Sequence, residues 1–67
     1  MASEERIQRL QQLVAQAGSP RKAEKLIKER IGVAPTHSAI YKAMQPTSKT
    51  TDYIVQCYIR DLEKTLD

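Results

Sequence analysis

The hydrophobic positions of this 67-residue chain recur every three or four residues, which is the spacing of amphipathic helices. No segment alternates strictly between apolar and polar residues, so the pattern predicts no strand. It divides the chain into four helical segments, within residues 3–18, 19–32, 36–45 and 50–67. The main apolar positions are Ile7, Leu10, Leu13, Val14 and Ala17 in the first segment, Ala23, Leu26, Ile27 and Ile31 in the second, Ile40 and Met44 in the third, and Ile54, Tyr58, Leu62 and Leu66 in the last, flanked by Val55 and Ile59.

Residues that start and stop helices separate these segments. Serine and threonine are favoured N-caps, glycine is favoured after a helix end, and proline suits the first helical position. The chain offers Ser3, Ser19 and Thr36 as N-caps, Gly18 and Gly32 as C-terminal glycines, Pro20 at the start of the second helix, and Pro35 and Pro46 as breaks. The sequence therefore predicts an all-α fold, a compact bundle of about four helices in one domain spanning residues 1–67.

Composition narrows the classes of protein that this bundle can be. The single cysteine, Cys57, excludes an intrachain disulfide and a multi-cysteine zinc site, and we expect it to act as a small buried hydrophobe. No apolar run approaches the length of about 20 residues that a membrane span needs. The N-terminus lacks the apolar core of a signal peptide. We therefore expect a cytoplasmic protein that does not associate with membranes.

The net charge of +3 is distributed unevenly. The charges of residues 1–18 sum to zero. Residues 19–49 carry seven Lys and Arg and two Glu, a net charge of +5, and residues 50–67 carry two Lys and Arg and four acidic residues, a net charge of −2. A basic middle segment is typical of a surface that binds a polyanion, although an ordinary solvated face is an equally good explanation of charge alone.

The second and third segments, joined by a turn that contains glycine, predict a helix-turn-helix. In that arrangement the second of the two helices lies in the DNA major groove and presents polar side chains to the bases. Ile40 and Met44 would face the scaffold. The residues expected to contact bases are Thr36, His37, Ser38, Tyr41, Lys42 and Gln45. Two of them also have an explanation without DNA: a lone histidine such as His37 is usually only solvated, and Tyr41 could be a packing residue.

The helix that precedes this one would cross the DNA backbone. Its basic N-terminal end, "SPRKAEK", and a lysine after the third helix are placed to contact phosphates. The residues expected to do so are Ser19, Arg21, Lys22, Lys25 and Lys49.

The run "GVAPTHSAIYKAM" resembles the recognition segment of the small Cro-type repressors of lambdoid phages. The shared features are the glycine and valine, then Ser38-Ala39-Ile40, one variable position, and Lys42-Ala43 followed by an apolar residue. The resemblance extends over residues 32–45 and implies that His37, Ser38, Tyr41 and Lys42 contact bases. The chain departs from the family in a longer second helix, a turn about two residues longer, and a C-terminal helix where lambda-type Cro proteins have strands.

The last segment is apolar over more than one narrow stripe, which predicts self-association. A symmetric dimer would place two recognition helices about one DNA turn, roughly 34 Å, apart. The residues assigned to this contact are Val55, Tyr58, Ile59, Leu62 and Leu66. The alternative is that this helix closes a four-helix monomer.

These observations predict a sequence-specific DNA-binding transcriptional regulator that acts as a repressor, with double-stranded DNA and a second copy as partners. No paired carboxylates, phosphate-binding glycine loop or metal-ligand spacing is present, so we expect no enzyme activity, metal, cofactor or small-molecule ligand. Two alternatives stay open: a protein-interaction module acting through the apolar C-terminal helix, and the DNA-binding head of a larger phage DNA-transaction protein.

Overall fold

The computed structural model describes residues 3–47 and 49–66 and contains four helices within them. They are α1 (Glu4–Ala17), α2 (Pro20–Ile31), α3 (His37–Ala43) and α4 (Asp52–Leu66). The described residues include no strand. The predicted all-α bundle of four helices is confirmed, while the end of the predicted fourth segment, Asp67, lies outside the described residues.

Side-chain oxygens cap the helices where the sequence places hydroxyl residues. The Ser3, Ser19 and Thr36 hydroxyls each accept a hydrogen bond from the backbone N–H three residues later, at 3.1–3.3 Å. Thr51 does the same for α4, at 3.3 Å. These bonds satisfy donors that a helix N-terminus otherwise leaves unpaired.

Glycines end the first two helices as predicted. Gly18 has φ of 118° and Gly32 has φ of 99°, a region that L-residues with a Cβ rarely adopt. Each backbone N–H donates back to the carbonyl of the residue four positions earlier, Val14 and Lys28 respectively. The chain can therefore turn sharply at both points, which brings α2 against α1 and α3 against α2.

All four helices contribute to one core. Its buried residues are Leu10, Leu13, Val14, Ala23, Ile27, Ile40, Ala43, Val55, Ile59 and Leu62. Leu10, Ile27, Ile40, Val55 and Leu62 are the largest of the fully buried side chains. The core is thus aliphatic, and Met44, Tyr58 and Leu66 pack at its margin.

Three predicted core positions are corrected by the structure. In α2, Leu26 is only half-buried. Ile31 is the last residue of this helix, next to the exposed turn, and is 45% exposed. In α4, Ile54 is 36% exposed, because the buried row runs through Val55 and Ile59 instead. The two rows are one residue apart and both are apolar, so periodicity alone could not select between them.

Helices α1 and α4 run parallel to each other. Arg6 of α1 forms an ion pair with Asp52 and donates to Gln56 Oε1 at 3.1 Å, and one turn further along Arg9 meets Glu63 at 3.2 Å. The partners advance in the same direction along both helices. The segment between them, α2 and α3, is therefore a crossover that returns the chain to the end at which it began.

Contacts with two different helices hold α3 at both ends. At its N-terminus, the His37 backbone N–H donates to Glu24 Oε1 of α2 at 2.8 Å. Just past its C-terminus, Gln11 Nε2 of α1 donates to the Met44 carbonyl at 2.7 Å. Ile40 and Ala43 are buried between these points. The helix is short, so these anchors fix the direction in which its outer face points.

The connection from α2 to α3 spans five residues, Gly32 to Thr36. A helix-turn-helix typically has three or four. The two helices pack against each other, but the assignment as a helix-turn-helix remains a prediction. Within the described residues, no helix combines the length and the apolarity that a membrane span requires.

Candidate nucleic-acid interface

A groove of about 480 Å³ lies between the N-terminal end of α2 and the outer face of α3. Seven residues line it: Ser19, Pro20, Arg21, His37, Ser38, Tyr41 and Lys42. We call it the α2–α3 groove. It brings together four of the residues predicted to contact bases and two of those predicted to contact phosphates, although the two groups are separated by fifteen or more positions in the chain.

A second groove, of about 360 Å³, lies beyond the C-terminal end of α3. Its lining residues are Lys42, Gln45, Thr47, Lys49 and Thr50, and we call it the α3-end groove. Lys42 borders both grooves. The outer face of α3 is therefore a ridge that carries Lys42, with Arg21 in the groove towards α2 and Lys49 in the groove beyond the end of the helix.

Three predicted base-contacting residues have particular positions on this ridge. Tyr41 is 57% exposed, so it does not fill a gap in the core. Gln45 lies past the end of α3, and its side-chain N–H donates to the Tyr41 carbonyl at 3.3 Å. The Thr36 hydroxyl oxygen caps α3 by accepting from Ala39 N–H. Tyr41 thus presents its ring outward, whereas Gln45 and Thr36 already have local hydrogen bonds.

Lys22 and Lys25 do not line the α2–α3 groove. Both border a different depression, together with Ala17, Leu26 and Glu29, on the side of α2 that faces the end of α1. The sequence placed them with Arg21 because they are neighbours in the chain. Successive helical residues point about 100° apart, so the same run of cations divides between two faces.

His37 is held against α2 by one carboxylate oxygen. Glu24 Oε1 accepts both from the His37 backbone N–H, at 2.8 Å, and from the ring at Nδ1, at 3.0 Å. The side-chain and backbone hydrogen bonds from His37 hold the pKa of Glu24 below that of an ordinary glutamate. The histidine is therefore oriented by α2 and is not a freely rotating surface residue.

The ion pairs among the described residues are distributed unevenly. Two of them, Arg6–Asp52 and Arg9–Glu63, join α1 to α4, and the third is the contact of His37 with Glu24. Within residues 3–47 and 49–66, seven cations in and around α2 and α3 form no ion pair with a carboxylate. They are Arg21, Lys22, Lys25, Lys28, Arg30, Lys42 and Lys49. The positive charge of this region is therefore available to a partner.

The residues assigned to dimerisation lie in the core or at its margin, and not on an exposed surface. Val55, Ile59 and Leu62 are at most 4% exposed, inside the core of a single protomer. Tyr58 and Leu66 are half-buried at its margin, and burial raises the pKa of the Tyr58 phenol. The assignment of Val55, Ile59 and Leu62 to an intermolecular surface is corrected, because the apolar row of α4 packs against α1 and α2. The exposed apolar residues of α4 are Tyr53 and Ile54, at its start.

Cys57 is half-buried, whereas the sequence predicted a buried residue. No group of three or more His, Cys, Asp or Glu side chains in the described part of the chain is arranged to hold a metal ion.

Sequence reasoning missed Glu24 and Gln11, which anchor the two ends of α3. Glu24 is the acidic residue in the basic first half of α2, which the sequence shows, but its partner depends on the path of the turn between α2 and α3. Gln11 gave no such indication, because a polar residue on α1 is ordinary.

No protein-family model, curated protein or solved structure matches this chain. The resemblance to Cro-type repressors therefore stays a prediction.

Proposed function

We propose that the protein is a sequence-specific DNA-binding regulator of transcription, acting in the cytoplasm as a repressor that covers a promoter. The observation that carries this proposal is the ridge of α3. It presents Ser38, Tyr41 and Lys42 outward between two grooves, and the cations on both sides of it have no carboxylate partner among the described residues.

The dimensions of the ridge suit a DNA major groove. A helix with side chains is about 10–12 Å across, and the major groove is about 12 Å wide. The seven residues of α3 extend about 10 Å. With base pairs about 3.4 Å apart, such a helix meets roughly three of them.

In this proposal, Arg21, Lys42 and Lys49 supply the affinity for phosphates, so Lys42 takes a phosphate contact in place of the base contact that the sequence predicted. Arg21 and Lys49 line separate grooves that both border Lys42, so they can contact phosphates at two different places along the duplex. Ser38 and His37 lie at the N-terminal end of α3, where contacts with base edges are expected. Lys22 and Lys25 play a smaller part because they face another depression.

A homodimer is part of the proposal, through a different surface from the one that the sequence suggested. Three base pairs are too few to specify a site, so a second copy on an adjacent half-site would supply the missing discrimination. The Cα extents of one protomer are 29 × 19 × 18 Å, comparable to one DNA turn of about 34 Å. We assign the contact to the start of α4, where Tyr53 is 76% exposed beside Ile54. Sedimentation equilibrium of Ile54→Glu should show monomers, and an unchanged mass would refute this assignment.

The alternative of a protein-interaction module relied on the apolar row of α4. Ile59 and Leu62 lie in the core, so substituting both would unfold the protein and would not test an interface. No observation in the structure favours that alternative over DNA binding.

The proposal is tested by fluorescence anisotropy with a random-sequence duplex at several salt concentrations. Each phosphate contact contributes about −0.9 to the slope of log K against log salt, so contacts from Arg21, Lys42 and Lys49 predict a slope of about −2.7. Between about 50 and 200 mM salt the affinity should then fall about 40-fold. For Arg21→Ala/Lys49→Ala the slope should be about −0.9 and the fall about 3.5-fold.

A matched control removes two cations from α4, with the variant Arg60→Ala/Lys64→Ala. It changes the net charge equally but leaves both grooves intact, so its slope should equal that of the wild type. Absence of binding by the wild type at about 50 mM salt, where non-specific affinity is expected, would refute DNA binding. An equal loss of slope in both double variants would show that charge alone, and not the ridge, is responsible.

A further inference from the structure

The contact between His37 and Glu24 fixes more than the position of a side chain. A carboxylate oxygen can only accept hydrogen bonds, and Glu24 Oε1 lies 3.0 Å from His37 Nδ1. In a neutral imidazole only one ring nitrogen carries a proton. Because two acceptors facing each other would repel, the proton must lie on Nδ1, and Nε2 is left with an exposed lone pair.

Nε2 is open to a partner. Its residue lines the α2–α3 groove, and the side chain is 42% exposed. Within the described residues, no side-chain nitrogen or oxygen is both buried and without a hydrogen-bond partner. His37 Nε2 makes no hydrogen bond there, so it lies at the surface of the groove.

From this geometry we infer that Glu24 is a positioning residue that makes His37 an acceptor towards DNA, so that Nε2 contacts the amino group of an adenine or a cytosine. This inference rests on the proposed function. In the major groove the hydrogen-bond donors are adenine N6 and cytosine N4, whereas guanine and thymine offer acceptors there. Phosphate oxygens are also acceptors, so neutral His37 has no partner on the backbone. In its neutral form His37 therefore discriminates between bases and does not add general affinity.

The first test uses the free protein and the fact that His37 is its only histidine. Long-range proton–nitrogen NMR correlations at about pH 9, above the ordinary range of imidazole titration, report which ring nitrogen is protonated. We expect the proton on Nδ1 in the wild type. Glu24→Gln keeps an acceptor oxygen and removes the charge, so the proton should stay on Nδ1. Glu24→Ala removes the acceptor, and the proton should move to Nε2.

Circular dichroism of each variant establishes that the helices are retained. A protonated Nε2 in the wild type would overturn the inference without reference to any variant. A proton that stays on Nδ1 in Glu24→Ala would also overturn it, because Glu24 would then not be what fixes the tautomer of His37.

The second test uses the preferred duplex, obtained by selection from a randomised library. At the base pair whose identity ceases to matter in His37→Ala, the amino group is deleted by replacing adenine with purine or cytosine with 2-pyrimidinone. Wild-type affinity should fall about fivefold, the size of one hydrogen bond, and that of His37→Ala should not change. Replacing the purine N7 by carbon should have no effect that depends on His37.

The failures of the two proposals are distinguishable. If the protein binds no DNA at low salt, the proposed function and the base contact both fail. If it binds DNA but loses affinity on loss of N7 and not of the amino group, or if no base pair depends on His37, only the present inference is overturned.

Discussion

Leu62 of α4 provides a direct test of whether this helix closes the core or joins two protomers. The side chain is fully buried within one protomer, in a cluster to which all four helices contribute. Replacement by alanine removes buried carbon atoms and leaves a cavity, which costs about 2.7–5 kcal/mol at comparable sites. A protein of 67 residues has a total free energy of unfolding of about 3–10 kcal/mol at 0.05–0.15 kcal/mol per residue. Leu62→Ala should therefore remove a large share of the stability.

The assay is urea denaturation followed by circular dichroism, at protein concentrations of about 5 and 500 µM. With a slope of about 1 kcal/mol per molar urea, the midpoint should fall by about 3–5 M. The difference in free energy of unfolding between wild type and variant should be the same at both protein concentrations, because the lost contacts are within one protomer. Leu66→Ala is the matched control: it makes the same substitution on the same helix at a half-buried position and should cost about 1–2 kcal/mol.

The reasoning would be refuted by a loss of stability that depends on concentration. If Leu62 lay between protomers, the difference between variant and wild type would be large at high concentration and would shrink where protomers separate. A cost below about 1 kcal/mol would equally contradict the burial of this side chain.

Three further predictions concern the elements that hold α3 and the turns. Hydrogen bonds from His37 lower the pKa of Glu24, and the Ser3 backbone N–H lowers that of Asp52. Both ionised carboxylates therefore stabilise the fold above the unfolded-state pKa values of about 4, and this contribution is lost as pH falls through the lowered values. Glu24→Gln should reduce the loss of stability that acid denaturation curves measure. Gly32→Ala should cost about 1 kcal/mol in urea denaturation from positive φ alone, since an added Cβ there meets no atom within 4 Å; no loss would contradict the conformation of the turn. Thr36→Ala should cost about 1 kcal/mol by removing the cap of α3 and Thr36→Ser should restore most of it, in thermal unfolding.

The helices and their ends were predictable because the determinants are local. Ser3, Ser19 and Thr36 cap the helices that they precede, and Gly18 and Gly32 end the helices that they follow. Each of these depends on a few neighbouring residues, so the sequence contains the whole cause.

The face that each helix buries was less predictable. In α4 the rows that begin at Ile54 and at Val55 are both apolar, and only the position of α1 decides which is covered. For the same reason the sequence assigned Ile59 and Leu62 to a dimer. The apolar surface was recognised correctly, but whether a neighbour within the chain covers it depends on tertiary packing.

In the candidate site, too, the exposed residues were predictable from the sequence and the tertiary contact was not. Exposure of Ser38, Tyr41 and Lys42 followed from the periodicity of α3. The contact of Glu24 with His37 depends on how five turn residues direct the chain, and no local rule specifies that path.

The parallel arrangement of α1 and α4 has a consequence for synthesis of the protein. The ridge of α3 is formed by the crossover between these helices, and its position depends on a core completed by Val55, Ile59 and Leu62. A nascent chain that has released α1, α2 and α3 from the ribosome still lacks one wall of that core. We therefore expect the segment that carries the proposed DNA contacts to become ordered only after α4 has emerged, and premature termination before residue 52 to leave it without a stable fold.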